Sequence, residues 1–162
     1  MKRLETIANI SVIVAALVLV AFLGQMEWQR HNESARTKKV LVGETVTLPG
    51  VQFAAQSKTL VLAISTHCHF CKDSEPFYKD LAAKSQGRLR IVAVLPQPLS
   101  ESQAYVRNAI APSVEVVQSR LDSIGVSGTP TLLLVDSNGK VQQAWVGKLD
   151  DQGQRQVQSY VM

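Results

Sequence analysis

The first long apolar run of the chain lies near its N-terminus and predicts a membrane-spanning helix. Residues 7–23 carry no charge, and only two of them are polar. Because the run is apolar on all faces and a helix rises about 1.5 Å per residue, it comes close to spanning a bilayer core. Lys2 and Arg3 precede it, and no A-x-A cleavage pattern follows. We therefore predict an uncleaved signal anchor over residues 7–24, which would hold the chain in the inner membrane.

The charges around this run predict which side of the membrane each end occupies. Residues 1–6 are typical of a cytoplasmic n-region, because Lys2, Arg3 and the α-amino group favour the inside. Basic side chains also occur in residues 25–43, but the first helix usually dominates and long domains translocate regardless of charge. We predict that residues 25–43 form a polar stalk and residues 44–162 a folded domain. The chain is thus expected to be a single-pass protein whose soluble domain faces the periplasm.

Two further apolar runs predict buried strands. Residues 59–65 and 90–95 are hydrophobic at nearly every position, as in strands that are covered on both faces. Between them, apolar residues at helical spacing from Lys72 to Lys84 predict a helix, and Gly87 ends the pattern. These elements form a βαβ unit.

The C-terminal half predicts the remainder of an α/β domain. Residues 100–123 are typical of a helix-rich stretch, and a turn at residues 137–139 joins two apolar runs, 131–136 and 141–146, into a hairpin. Residues 150–162 have the spacing of a short amphipathic helix. The predicted order β-α-β-α-β-β-α gives a mixed sheet flanked by helices, with an inserted helical segment.

The net charge of +4 does not indicate an acidic partner. From residue 45 onward the chain has eleven Lys or Arg and nine Asp or Glu, and the two signs alternate along it. No basic stripe interleaved with aromatic residues is present, so nucleic-acid binding is not expected.

The candidate chemistry lies in the tetrapeptide Cys68-His69-Phe70-Cys71, which contains both cysteines of the chain. Two thiols three positions apart at the start of a helix can form one disulfide and so carry two electrons. A structural disulfide framework would need more cysteines at wider spacing. At a helix start, unpaired backbone N–H groups stabilise an anion. We therefore expect Cys68 to attack as the thiolate and Cys71, one turn further on, to resolve the mixed disulfide.

The strand–CxxC–helix unit, followed by Gly128-Thr129-Pro130-Thr131 before a hairpin, resembles the thioredoxin superfamily. Two details strengthen the resemblance: Lys72 follows the second cysteine, and Pro76 lies five residues after it. With its anchor, inserted helix and the run GTPTLLLVDSNGKV, the chain is most similar to TlpA/ResA-like membrane-anchored thiol-disulfide oxidoreductases. The resemblance covers about residues 42–162. It implies a thioredoxin-like fold behind an N-terminal transmembrane helix.

The resemblance also implies a site and its partners. Cys68 and Cys71 would be catalytic, and Thr129–Pro130 would be a cis bond that faces them and presents backbone to an extended substrate chain. The expected substrate contacts are Thr129, Pro130, His69 and Phe70. No cofactor is implied. The partners would be cysteine-containing protein substrates and a membrane electron-donor protein that recharges the pair. Such a protein would be a periplasmic reductant, acting in cytochrome c maturation or related protein maturation.

Three features depart from the thioredoxin pattern. Leu62 occupies the position of a buried acid, His67 replaces a tryptophan, and neither residue between the cysteines is proline. His67 is a candidate for tuning the thiols, because histidine titrates near neutrality. These departures leave an oxidase or isomerase open beside a reductase. The reduction potential of the pair separates the three.

A metal-binding module is the main alternative to an exchange enzyme. His67, Cys68 and Cys71 offer one imidazole and two thiolates, which suit copper or zinc. This set would make the chain a thioredoxin-like metal chaperone. A scaffold that only binds partners is a third hypothesis, which the intact CxxC pair opposes.

Overall fold

The structure, a computed structural model, describes part of the N-terminal segment and nearly all of the domain. The described residues are 16–25, 42–55, 57–85 and 89–161. Residues 16–25 are helical and exposed. Among the described residues, no helix is both long enough and apolar enough to cross a membrane. Residues 1–6 and large parts of the predicted anchor 7–24 and stalk 25–43 lie outside the described residues, so these assignments stay predictions.

Within the described residues, five strands form one mixed sheet. They are β1 (Lys58–Ala63), β2 (Arg90–Leu95), β3 (Glu115–Gln118), β4 (Thr131–Asp136) and β5 (Val141–Val146). Their order is β3-β2-β1-β4-β5. The first three strands run parallel, and β4 and β5 are antiparallel to their neighbours. The predicted mixed sheet is confirmed.

Four α-helices follow in the part of the domain that the structure describes. They are α1 (His69–Asp73), α2 (Glu75–Ser85), α3 (Leu99–Ala109) and α4 (Asp151–Val161). Two short 3-10 turns lie at Phe53–Ala55 and Asp122–Ile124. The predicted βαβ unit consists of β1, the two helices α1 and α2, and then β2. The predicted hairpin consists of β4 and β5.

Successive strand residues point to opposite sides of the sheet, and a buried core lies on each side. On one face, Leu60 and Leu62 of β1 belong to a core that includes residues of α2, α3 and α4. On the other, Val61 and Ala63 pack in a second core with the segment 46–53 and the second 3-10 turn. This two-sided burial explains the nearly continuous apolar run that predicted β1.

The structure corrects the interpretation of residues 100–123 as a helix-rich stretch. Helix α3 ends at Ala109, and β3 pairs in parallel with β2. The guanidinium of Arg90 donates to Glu115 Oε2 at 2.6 and 2.9 Å, which ties the start of β2 to the start of β3. An edge strand of four residues is too short for its alternation to stand out in the sequence, so the pairing with β2 decides its conformation.

The predicted helix 72–84 is interrupted at Ser74, two residues before Pro76. Proline has no N–H to donate to the carbonyl four residues back, so an unbroken helix would lose a bond there. Ser74 ends α1 instead: its N–H donates to the Cys71 carbonyl at 3.1 Å, and its Oγ donates to the Phe70 carbonyl at 2.8 Å. The interruption leaves α1 as a separate short helix that starts beside Cys68.

The β4–β5 turn allows a stability test at Gly139. Its φ is +79°, and an added Cβ would lie 2.9 Å from the Val46 carbonyl oxygen. We expect Gly139→Ala to lower the free energy of unfolding by about 3 kcal/mol, through left-handed strain plus this clash. Gly50→Ala is the matched control, because Gly50 has φ +74° but nothing within 4 Å of an added Cβ. It should cost only about 1 kcal/mol. Denaturant unfolding followed by circular dichroism measures both, and equal losses would contradict the Val46 contact.

Candidate active site

Cys68 lies at the turn from β1 into α1. It is the N-cap of α1, with extended backbone angles of φ −88° and ψ 115°. Its N–H donates to the Ser65 carbonyl at 3.2 Å, and its Sγ accepts a hydrogen bond from the Cys71 N–H at 3.1 Å. An N-cap side chain in this position satisfies a backbone donor of the first turn. The Cys68 sulfur therefore accepts a backbone hydrogen bond at the start of α1.

The loop before β4 brings Thr129 and Pro130 to this sulfur. The Thr129–Pro130 peptide bond is cis, as the resemblance implied. The Cys68 thiol donates to the Thr129 carbonyl oxygen at 3.5 Å. Gly147 N–H donates to the Pro130 carbonyl at 2.7 Å, so the end of β5 holds the same loop. The structure thus brings together Cys68, Thr129 and Pro130, which are distant in the sequence.

The two cysteines differ in exposure. Both are free thiols, and Cys68 is half-buried whereas Cys71 is fully buried. Burial raises the pKa of the Cys71 thiol to about 12, and the hydrogen bond and charge of Cys68 add to the rise. Cys71 is therefore protonated near neutral pH, while the Cys68 sulfur is partly accessible. This difference suits one attacking and one resolving thiol.

The two residues between the cysteines form an exposed surface beside them. The His69 side chain is 82% exposed, and Phe70 is 55% exposed. His69 Nε2 lies 3.8 Å from Asp73 Oδ2, and Lys148 Nζ donates to the same oxygen at 2.8 Å. This hydrogen bond from Lys148 lowers the pKa of Asp73. His69 and Phe70 are thus exposed next to the two cysteines, and their contact with a substrate stays a prediction.

His67 also lies at the surface, and its ring lies next to Thr66 and Gln97. His67 Nδ1 is 3.1 Å from Thr66 Oγ1, which in turn donates to Glu101 Oε1 at 2.7 Å. The amide nitrogen of Gln97 donates to Ser65 Oγ at 2.8 Å and lies 3.4 Å from His67 Nδ1. Gln97 and Glu101 were not predicted from the sequence, because they are 30 residues or more from the residues they contact. No local motif marks them.

The position of the missing thioredoxin acid is apolar in three dimensions as well. Leu62 is 1% exposed and pairs with Ala93 and Leu132 on its neighbouring strands. It belongs to the same buried core as Cys71. Tyr78, a titratable residue of this core, has a pKa raised first by its own burial. Because residue 62 is leucine, this position offers no carboxylate that could accept the Cys71 proton.

The geometry does not support the metal-binding alternative. Across the described ranges, no three His, Cys, Asp or Glu side chains are grouped so that they could hold a metal ion. His67 directs Nδ1 to Thr66. The sulfur of Cys68 accepts a hydrogen bond from the Cys71 N–H and donates one to the Thr129 carbonyl. The set His67, Cys68 and Cys71 is thus not assembled as a ligand set.

Solved structures with similar architecture include several thiol:disulfide interchange proteins. One described as DsbE from Chlorobium tepidum has a TM-score of 0.59 at 21% identity, over 73% of this chain and 93% of that one. A thiol:disulfide interchange protein from Bacteroides sp. has a TM-score of 0.56 at 18% identity, over 74% and 90%. StoA from Bacillus subtilis has a TM-score of 0.54 at 15% identity, over 75% and 95%. At these identities the similarity shows a shared fold.

Sequence comparison adds the family. No curated protein matches this sequence. The family profile described as a thioredoxin-like domain matches residues 52–161, which is more than half of the chain. The matched residues include Cys68, Cys71 and Pro130. The chain belongs to the thioredoxin-like domain family.

Proposed function

We propose that the chain is a thiol-disulfide oxidoreductase that exchanges disulfides with cysteine-containing proteins. The observation that supports this most is the asymmetry of the pair. The Cys68 sulfur is half-buried and accepts the Cys71 N–H at 3.1 Å, whereas the Cys71 thiol is fully buried. A reactive thiolate at a helix start beside a shielded partner is the arrangement that two-step exchange requires.

In the reducing direction, the reaction uses the two thiols in turn. The Cys68 thiolate attacks one sulfur of a substrate disulfide, a new S–S bond forms, and the other substrate sulfur leaves and is protonated. Cys71 then loses its proton and attacks the Cys68 sulfur. The mixed disulfide breaks, and the second substrate sulfur leaves as a thiol. The substrate gains two electrons and two protons, and the chain is left with a Cys68–Cys71 disulfide.

The substrate is proposed to lie along the loop before β4. The backbone of Thr129 is next to the Cys68 sulfur, and its carbonyl oxygen is 3.5 Å away. The exposed rings of His69 and Phe70 flank the same sulfur along α1. An extended polypeptide bound to this backbone would bring its own sulfur within reach of Cys68.

We further propose that the protein is a TlpA/ResA-like reductant of the periplasm, anchored in the inner membrane by residues 7–24. The apolar run supports this, since the described part of it, residues 16–24, is helical with exposed large apolar side chains such as Leu17 and Phe22. Lys2 and Arg3 before the run favour a cytoplasmic N-terminus. A membrane electron donor would reduce the pair again, and the substrates would be proteins in cytochrome c maturation or related maturation.

Two measurements on the full-length chain in detergent test these proposals. The chain is expected to catalyse reduction of insulin disulfides when a small dithiol recharges it, and no catalysis would contradict the exchange function. The reduction potential of the Cys68–Cys71 pair tests the direction. A value near about −270 mV is expected for a reductant. A value near about −120 mV, that of a strong oxidant, would contradict the reducing direction while leaving exchange itself intact.

A further inference from the structure

A row of hydrogen-bonded side chains runs from α3 to the residue that precedes the nucleophile. Thr66 Oγ1 lies 2.7 Å from Glu101 Oε1 and 3.1 Å from His67 Nδ1. An ionised carboxylate only accepts hydrogen bonds, so the single hydroxyl proton of Thr66 must point to Glu101. The Thr66 oxygen can then only accept from His67. His67 Nδ1 therefore carries a proton.

One contact competes with this assignment. The amide nitrogen of Gln97 lies 3.4 Å from His67 Nδ1 and could donate to it if Nδ1 carried no proton. In that case the lone pairs of Nδ1 and of the Thr66 oxygen would face each other at 3.1 Å. The Gln97 nitrogen already donates to Ser65 Oγ at 2.8 Å. Because the Thr66 contact is the shorter of the two, we assign the proton to Nδ1. The lone pair of the neutral His67 ring then lies on Nε2.

We propose that Glu101, acting through Thr66, is a positioning residue that holds His67 in the Nδ1–H tautomer, so that Nε2 accepts and returns a proton during exchange at Cys68. This inference rests on the proposed exchange function. As a substrate approaches, the Cys68 thiol turns its proton from the Thr129 carbonyl to Nε2 of the preceding residue, and its sulfur attacks a substrate sulfur. The substrate S–S bond breaks, and the departing sulfur takes the proton from Nε2. Between these steps, the negative charge of Glu101 faces the imidazolium across the Thr66 hydroxyl.

Two other carboxylates near this row, Glu75 and Asp73, have hydrogen-bond partners that lie outside it. A cavity of about 540 Å³ between α2 and α3 is lined by Thr66, Glu101, Glu75 and Lys79, among others. Glu75 accepts the Tyr105 hydroxyl at 2.9 Å. On α1, Asp73 is bonded to Lys148, with His69 3.8 Å from the same oxygen. Glu75 is thus a matched control. It is a second carboxylate that lines the same cavity, but it accepts a hydrogen bond from Tyr105 and not from Thr66.

Nitrogen NMR of the His67 ring tests the tautomer in the reduced, full-length chain in detergent. At about pH 8, where histidine is ordinarily neutral, we expect the proton on Nδ1. Thr66→Val and Glu101→Ala should shift the proton toward Nε2. Thr66→Ser and Glu101→Gln retain the hydroxyl and an acceptor oxygen, so they should keep it on Nδ1. Glu75→Ala should also keep it there. An Nε2 proton in the wild-type chain, or an Nδ1 proton in both Thr66→Val and Glu101→Ala, would overturn the proposal.

The rate of exchange with a small aromatic disulfide supplies the second readout. Glu101→Ala should slow the first step about fivefold, the effect of losing one hydrogen bond. His67→Ala should slow it at least as much, and the double variant should be no slower than His67→Ala alone. Additive losses would show that Glu101 does not act through His67. Wild-type rates in all these variants would overturn the proposal, yet exchange by the wild-type chain would still support the proposed function.

Discussion

Replacing Cys68 with serine is expected to slow disulfide exchange at least about a thousandfold, because the sulfur that attacks the substrate is lost. The serine hydroxyl can still accept the Cys71 N–H and donate to the Thr129 carbonyl, the two contacts of the Cys68 sulfur. The helix start should therefore stay folded. Reduction of insulin disulfides by the full-length variant measures the loss, and circular dichroism checks the fold. Retained catalysis would contradict the assignment of Cys68 as the nucleophile.

Cys71→Ser is the matched variant, since it removes the buried thiol and keeps the attacking one. It should complete the first step and then stop, because no second thiol can break the mixed disulfide. A covalent adduct with a disulfide substrate should accumulate on a non-reducing gel and disappear after reduction. An adduct in Cys68→Ser but not in Cys71→Ser would reverse the order of the two thiols.

The resolving step is expected to become about tenfold faster with each pH unit between about 7 and 10. The direction follows from the pKa of Cys71, which burial raises to about 12. Below that pH, raising the pH removes the proton from a larger fraction of Cys71, and the thiolate is the attacking species. Burial is the largest cause of the raised pKa. The pKa of Cys71 therefore stays raised when Cys68 forms a disulfide with the substrate and carries no charge.

Decay of a preformed mixed disulfide between Cys68 and a small chromogenic thiol measures this step in a single turnover. Asp73→Asn is the control, because Asp73 lies on α1 but its carboxylate accepts a hydrogen bond from Lys148. It should leave the slope unchanged. A rate that levels off near pH 9.0, the ordinary value for a thiol, would contradict burial as the cause of the raised pKa.

Leu62 gives these pH effects a structural origin. Its apolar side chain lies in the same buried core as Cys71, at the position where thioredoxin has an acid. A carboxylate there could accept the Cys71 proton during resolution, whereas leucine cannot. The Cys71 proton must therefore be lost to solvent before Cys71 attacks. The steep pH dependence is the expected consequence.

Several elements follow from short stretches of sequence because their signals are local. Strands β1 and β2 are continuous apolar runs, and burial of both sheet faces requires such runs. The turn Ser137-Asn138-Gly139 marks the β4–β5 hairpin, and Gly139 has the positive φ that such turns favour. The spacing of Cys68 and Cys71 also predicted the start of the helical segment, whereas its interruption at Ser74 was not predicted.

Other elements depend on residues that are far apart in the chain. Strand β3 has four residues and acquires its conformation by pairing with β2, so its own pattern predicts only part of a helix-rich stretch. Likewise, Glu101 reaches Thr66 only because α3 packs beside the turn that ends β1, across 35 positions of sequence. No periodicity can report such a contact, since periodicity describes one element at a time.

By itself, the sequence predicted exchange chemistry at the two thiols, and it determined their position between a strand and a helix and the apolar elements of the sheet. These are properties of residue type and local spacing. Only the tertiary structure decided how the thiols differ and what surrounds them. Packing buries Cys71 and raises its pKa, brings the Thr129 carbonyl to 3.5 Å from the Cys68 sulfur, and joins His67 to Glu101 through Thr66. Desolvation and hydrogen bonding depend on three-dimensional neighbours, and only the folded chain supplies those.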